Sequence, residues 1–513
     1  MRSSSRVILN TSAQYVRTII NIFLTLYSTR LILDALGIDN YGLYVLIAGV
    51  VSMLAFATNA LSVTTQRFLS FHQGKSELKK QRLYFQNSLA IHIIIGIIVL
   101  FGLLSITQLL FDGFLNIRSD RVEAAKYTYY IVSCIILITF LISPFKAVLI
   151  SHENIVYVSI IEIIDGLLKV FAAVYLLNVK ADRLVIYALL IGLIQLFNLL
   201  SLSIYSSLKY KECQGFSIGS IKVSIIKDII SFAGWTIYSI GCIIGRTQGI
   251  AIVINKFFGS TVNAAYGIGF QISGYITVIS DSILNALRPQ IIKAEGQSQR
   301  SYMLWLSELA SKFCTTLLCC IAIPSIILMP ELLKIWLGND VPEYATLFSR
   351  MVMLAAIFDT STIGLATANQ AIGNIKNYSI IVNSIKIITV PVVLLLLENG
   401  YNIISVAITY VIFEAICAGS RIYFIKVTGG LNAKRFIINV IVRLMLPLLF
   451  LIVSVYLSNL LQNLMLKIIL SYILSNLVFL SAFYIFGINV SERSIIDSLI
   501  YNIRCKLKAI VLK

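Results

Sequence analysis

The sequence predicts an all-α integral membrane protein of about 14 transmembrane helices: two pseudo-repeated six-helix bundles followed by two C-terminal helices. Three observations carry that expectation. The 513-residue chain is 58% hydrophobic and 12% charged, a balance that no soluble domain of this length shows. Apolar runs long enough to cross a hydrocarbon layer of ~30 Å recur from end to end. Lysine and arginine also follow the alternation of a multi-pass chain. With the N-terminus on the cytoplasmic side, the connecting segments hold 24 cations on that side and 7 on the other. The remaining 10 of 41 fall within spans.

In order, the candidate helices are 7–33, 41–68, 83–111, 125–150, 156–178, 184–208, 229–255, 261–287, 303–329, 344–370, 378–397, 402–425, 436–458 and 464–487. The first is read as a retained helix, because it is too long for a signal-peptide core and no small-residue cleavage site follows it. A turn over 34–40 joins it to the second. The fifth carries three charges, and the eighth is rich in glycine and serine. The longest loop, 209–228, separates the halves. The expected organisation is 1–208, a six-helix bundle; 209–228, a cytoplasmic interfacial linker; 229–426, a second bundle; 427–487, two added helices; and 488–513, a basic amphipathic tail. In the linker Ile218, Ile221, Ile225 and Ile229 form one apolar stripe. In the tail Ile496, Leu499, Ile500, Ile503 and Leu507 do the same beside Arg504, Lys506 and Lys508. Both fit helices lying on the inner leaflet, the tail alternatively a solvated helix. Anionic cytoplasmic lipid explains the net charge of +18 without a nucleic-acid partner.

An internal repeat supports two halves. Asn59-Ala-Leu, Gln66-Arg67-Phe68 and Gly74 match Asn285-Ala-Leu, Arg288-Pro289-Gln290 and Gly296. Gly37, Tyr41 and Gly42 resemble Gly259, Tyr266 and Gly267.

Charges within the spans carry the functional signal. Arg17 lies about 15 Å along the first helix from Val7, near the middle of the hydrocarbon layer. Asn10, Gln14, Arg17, Asn21, Thr25 and Ser28 share its face. Such a stripe belongs against protein or a water-filled cavity; the alternatives are snorkelling or a structural pair with a buried carboxylate. Glu162, Asp165 and Lys169 lie on one face of the fifth helix, where Asp165 and Lys169 are spaced to pair. Arg246 sits among Gly241, Gly245 and Gly249, a small-residue face that admits a close neighbour. Asp281, Arg350, Asp359, Lys386, Glu414 and Arg443 follow. Lys169, Arg246, Arg350 and Lys386 either line a cavity or form structural ion pairs. Glu162, Asp165, Asp359 and Glu414 either balance these cations or carry a coupling ion.

Other chemistry is missing from the sequence. His72, His92 and His152 lack ligand spacing, so neither a metal nor another cofactor is expected. No phosphate loop is present. The eight cysteines avoid the predicted outer loops, so no disulfide is expected.

The segments Thr29-Arg30, Leu36-Gly37, Tyr41-Gly42 with Tyr44, Thr65-Gln66-Arg67-Phe68-Leu69-Ser70, Tyr266-Gly267-Ile268 and Arg288-Pro289-Gln290-Ile291 resemble those of the bacterial polysaccharide flippases. These belong to the multidrug/oligosaccharidyl-lipid/polysaccharide (MOP) exporter superfamily and export lipid-linked O-antigen or capsule repeat units. The resemblance implies a MATE-like fold of two bundles in a V and a cationic central cavity for an undecaprenyl diphosphate-linked sugar. In that family the first and seventh helices border the cleft, which suits Arg17 and Arg246. The last two helices would form a groove for the lipid tail. It further implies the bacterial inner membrane with both termini cytoplasmic. The partners implied are membrane lipid, the lipid-linked oligosaccharide, and the polymerase and glycosyltransferases of the same pathway. Two rivals remain. A cation-coupled multidrug exporter shares the fold but favours an acidic cavity. A membrane polysaccharide polymerase or ligase needs a sizeable outer loop, and 112–124 and 330–343 are short and lack histidine.

Overall fold

The computed structural model describes residues 3–52, 55–111, 117, 119–215, 218–337, 341–489 and 492–493. Among them every regular element is helical. The main helices are α1 Ser3–Ser52, α2 Ala55–Gly74, α3 Leu78–Ser105, α4 Val122–Ser151, α5 Ile155–Leu177, α6 Arg183–Lys209 and α7 Val223–Gly296. After them come α8 Arg300–Ile327, α9 Ala345–Ser361, α10 Ile363–Ile372, α11 Ile375–Glu398, α12 Ile404–Gly429, α13 Ala433–Asn459 and α14 Leu464–Gly487. Ten described helices are long and apolar enough to cross a membrane, or eleven if α9 and α10, bent by 44°, form one span. The other expected spans are helical too: 156–178 is α5, with its three charges, 261–287 lies inside α7, and 41–68 is divided between α1 and α2. The amphipathic tail lies outside the described residues.

The chain divides into two compact units, Leu9–Ile237 and Tyr238–Lys513, the second also taking Met1–Ile8. In the first, Ile32, Ala35 and Leu36 of α1 pack on Ala173 and Leu176 of α5 and Tyr187 of α6. A second cluster joins Leu69, Phe85, Val148 and Ile161 from α2 to α5. In the second unit Ile250, Ile254 and Ala265 of α7 pack on Phe348 of α9, Val393 of α11 and Val406 of α12. Helices α13 and α14 dock on α8 through Cys319, Leu451, Val455 and Phe479. Polar contacts pin them along its length: Lys312 to Glu492 at 2.7 Å, Asn476 to the Cys320 carbonyl at 2.9 Å, and Ser325 to Tyr472 at 2.6 Å.

The connection expected over 34–40 is not a turn of several residues. Helix α1 runs through it, and only Gly37 leaves helical geometry, at φ 76° and ψ 165°. In α7 the same departure occurs at Gly259, at φ 80° and ψ −175°. This region of backbone space is open essentially to glycine alone, because any Cβ there meets the chain itself. The two breaks stand 222 residues apart, the spacing of Gly74 and Gly296 in the repeated segments.

The repeat extends to the turns. After α2, α4 and α7 the chain reverses through Ser76, Glu153 and Ser298, at φ 57°, 58° and 60°. Each amide reaches back three residues, to the carbonyls of Gln73, Ile150 and Glu295. The following amide of Glu77, Asn154 or Gln299 reaches the carbonyl of His72, Leu149 or Ala294 at 3.0, 2.8 and 2.9 Å. This is a Schellman closure with a left-handed residue past the helix end. After α10 the chain reverses at Gly373, φ 91°, whose amide instead reaches the Asn369 carbonyl at 3.0 Å, and Asn374 enters α11 with dihedrals close to those of Glu77. The Schellman closure itself recurs after α11 at Gly400, φ 81°, where the Gly400 and Tyr401 amides reach the Leu397 and Leu396 carbonyls, both at 3.1 Å.

Side chains of the first unit hold the linker. Arg82 and Gln86 donate to the Gly215 carbonyl at 3.1 and 2.6 Å. Asn87 donates to the Ser220 carbonyl and accepts from the Lys222 amide. Ile225 and Ile229 are buried in the protein, while Ile221 and Val223 are exposed. The expected stripe therefore faces partly inward. His152 stacks on Tyr210 and pairs with Glu212. Burial would raise the Glu212 carboxyl, but the hydrogen bond and charge of His152 outweigh it and hold it below the usual range.

Two expectations follow. Gly37→Ala or Gly259→Ala should cost about 1–3 kcal/mol of stability, although a Cβ at either site meets nothing within 4 Å. Gly267→Ala, in helical and equally open surroundings, should be neutral or gain up to ~1 kcal/mol. Conversely, Ser298→Gly should gain about 1 kcal/mol by relieving the left-handed conformation. Thermal unfolding of purified variants in one detergent would check both.

Candidate functional site

In the first unit, Asn10 donates to the Glu153 carbonyl at 2.8 Å, which levels this point of α1 with the α4–α5 turn. Arg17 lies two turns further, about 10 Å deeper. It does not stand free: its guanidinium pairs with Glu162 of α5. The other oxygen of Glu162 takes Lys146 of α4 at 2.6 Å. One turn along α5, Asp165 pairs with Lys169 at 2.6 Å and accepts from Asn198 of α6 at 2.8 Å. Beside Arg17 on α1, Gln14 is buried and its Nε2 has no hydrogen-bond partner among the described residues, nor has Asn21 Oδ1.

In the second unit the close approach expected of the α7 glycines is made to α11. A Cβ on Gly245 would meet Ile387 at 2.8 Å, and one on Gly249 would meet Val390 at 2.9 Å. This brings Arg246 to Glu414 of α12, with the guanidinium 4.2 Å over the ring of Tyr410. Glu414 also takes Lys386 of α11 at 2.7 Å, and Lys386 reaches Asp359 of α9 at 3.0 Å. Asp359 then takes Arg421 of α12 at 2.7 Å. The order is cation, acid, cation, acid, cation over four helices. Arg350 stands apart: it donates to the Ile326 and Ile327 carbonyls, where a cation suits the C-terminus of α8.

Each network sets three cations against two carboxylates. Arg17, Lys146 and Lys169 face Glu162 and Asp165; Arg246, Lys386 and Arg421 face Asp359 and Glu414. They differ in access. The side chains of Arg246, Lys386 and Glu414 are 6%, 5% and 2% exposed, so the Arg246–Glu414–Lys386 bridge is sealed in protein, while Asp359 at the other end of the cluster is 32% exposed. Those of Arg17, Glu162 and Lys146 are 23%, 28% and 39% exposed. All four acids are engaged by cations.

Sequence reasoning missed Lys146 and Arg421, which it counted with the cytoplasmic segments because they lie near helix ends. It also passed over Lys312, 1% exposed and paired with Glu492. The available signal was a charge inside a helix rather than in its loop.

The sequence matches no family model. A relative, the "Uncharacterized membrane protein EpsK" of Bacillus subtilis (strain 168), is 22% identical over 349 residues. The match covers 66% of this chain and 66% of that protein, so about a third of each lies outside it. Solved structures are alike in shape. A MATE transporter in the bent conformation superposes with a TM-score of 0.71 at 13% identity, over 85% of this chain and 96% of that one. A MOP superfamily transporter from Pyrococcus furiosus, described as having a binding pocket of reverse polarity, gives 0.70 at 13%, over 85% and 96%. The MATE transporter ClbM in complex with Rb+ gives 0.68 at 17%, over 82% and 94%. At these identities the likeness is one of fold: the chain shares the fold of these MATE and MOP superfamily transporters.

Proposed function

We propose that the protein is a flippase that moves undecaprenyl-diphosphate-linked oligosaccharide repeat units from the cytoplasmic to the periplasmic leaflet by alternating access. It would serve O-antigen, capsule or exopolysaccharide biosynthesis in the bacterial inner membrane, with both termini cytoplasmic. The observation that carries the reading is the cation surplus of the two networks, set in helices that are otherwise apolar. A cation in a low-dielectric setting draws an anion strongly, and arginine grips phosphate oxygens by forked hydrogen bonds. Arg17 and Lys169 in the first unit and Arg246 and Lys386 in the second are the proposed substrate cations, with Asn10, Gln14 and Asn21 as the polar face of α1. Arg350 is reassigned to holding the end of α8. Residues 1–208 and 229–426 are the proposed bundles, 209–228 the linker, 427–487 the added pair and 488–513 the tail.

A multidrug exporter of the same fold is the competing function. It would take cationic cargo on free carboxylates, and the engagement of Glu162, Asp165, Asp359 and Glu414 by cations argues for the anionic cargo.

Two outcomes test this. Removing Arg246 strips Glu414 of one buried partner, so Arg246→Ala should lose about 3–5 kcal/mol of stability and accumulate poorly. Arg17 is less buried, and Glu162 keeps Lys146, so Arg17→Ala should cost less than Arg246→Ala, about 1.5–3 kcal/mol, and accumulate better. Arg17→Ala is therefore the cleaner functional probe. In a strain lacking its own flippase, it should fail to restore surface polysaccharide while lipid-linked repeat units build up in the inner leaflet. Normal polysaccharide with raised sensitivity to cationic drugs would point to the exporter. Repeat units that reach the surface unpolymerised when the protein is missing would point to a polymerase or ligase.

A further inference from the structure

We propose that Glu162 is a resident counter-anion: between cargoes it occupies the place on Arg17 and Lys146 that the cargo diphosphate takes over during transport. This rests on the anionic cargo proposed above. It goes beyond that reading by naming the clamp, adding Lys146 to it, and giving Glu162 the role of competitor.

Three features of the site lead there. The first is geometry. Glu162 turns one oxygen to Arg17 of α1 and the other to Lys146 of α4, so a single anionic group bridges cations from two other helices. One phosphoryl of a diphosphate diester offers the same bridge with its two non-bridging oxygens, and the other phosphoryl has two more to spare. The second is access. The bridge around Glu162 is a quarter to two-fifths exposed, whereas Glu414, which bridges Arg246 and Lys386 in the same manner, is 2% exposed. The Glu162 bridge is open to exchange, whereas Glu414 can trade partners only if the protein opens; Asp359, 32% exposed, meets both of its cations through one oxygen and does not span them with two.

The third is an unmet donor. Gln14 is 3% exposed, and its Nε2 finds no acceptor among the described residues. It stands one turn before Arg17 on the same face of α1. A buried amide without an acceptor is costly, and the carboxylate is too small to serve it while bridging the two cations. A diphosphate has oxygens enough for all three groups. Gly166 permits the close approach this requires: a Cβ there would meet Leu24 at 2.9 Å and Asn21 Oδ1 at 3.1 Å, so α1 rests directly on α5 beside the clamp.

A carboxylate that competes for the clamp weakens capture and speeds release. Glu162 would return to Arg17 and Lys146 as the diphosphate leaves. A clamp of bare cations would instead hold its cargo too long to turn over.

The test is direct binding of farnesyl diphosphate to the purified full-length protein in detergent, with farnesol as the uncharged control. Removing the competitor should tighten binding about tenfold in Glu162→Gln, the worth of one charge-assisted hydrogen bond. Glu162→Ala, which cannot bond to Arg17 at all, should act in the same direction. Arg17→Ala and Lys146→Ala should each weaken binding about tenfold. Asp228→Asn removes the same charge from a carboxylate of the same unit that stands outside the network, accepting from Tyr84 at 3.1 Å, and should change affinity less than about threefold.

Equal tightening in Glu162→Gln and Asp228→Asn would reduce the effect to general charge and overturn the proposal. So would unchanged or weaker binding in both Glu162 variants. Diphosphate binding that ignores Arg17 and Lys146 would also overturn it, while leaving the anionic-cargo reading standing on other cations. If no form prefers the diphosphate to farnesol, the cargo reading itself falls and takes the proposal with it.

Discussion

The price of a charge in hydrocarbon governs this structure. A cation on a membrane helix is tolerated when it faces protein or water and has a partner. Both networks meet that condition by pairing each cation with a carboxylate, in an unbroken chain over four helices in the second unit and in a Glu162 bridge beside the Asp165–Lys169 pair of α5 in the first. Neither is balanced. An even number of charges would have sufficed to pin helices together, and the extra cation in each is what makes an anion a natural visitor. The buried Glu414 bridge in the second unit and the accessible Glu162 bridge in the first are built alike and differ in what can reach them.

Much of this was legible in one dimension. Long apolar runs and the distribution of lysine and arginine mark the helices, and a lone charge such as Arg17, Arg246 or Lys386 stands out against an apolar run. The Asp165–Lys169 pair could also be read, since four residues along a helix is a contact by geometry. Gly37 and Gly259 were visible as a repeat, though not as single-residue breaks, because glycine in a polar stretch reads as a turn of several residues.

Partner choice was not legible. Periodicity says which side chains share a face and is silent about what the face meets. Arg246 finds Glu414 168 residues away, and Glu162 takes Arg17 and Lys146 from two helices that precede it in sequence. Lys146 and Arg421 escaped for another reason. They lie within a few turns of helix ends, where a long cation ordinarily snorkels outward, whereas both turn inward to a carboxylate. Arg350 was the reverse case, a cation in an apolar run whose partners are main-chain carbonyls that no side-chain pattern can disclose.

The single-residue breaks at Gly37 and Gly259 bear on where a bend can lie in a bilayer. An ordinary loop frees four amides at one helix start and four carbonyls at one helix end, and lipid can satisfy none of them. Such a loop has to reach the headgroups. A break confined to one glycine leaves far fewer main-chain groups unbonded, so the bend is released from that need. Its depth is then set by the lengths of the flanking helices, and each half of the chain can seat its first two helices without extending them to water.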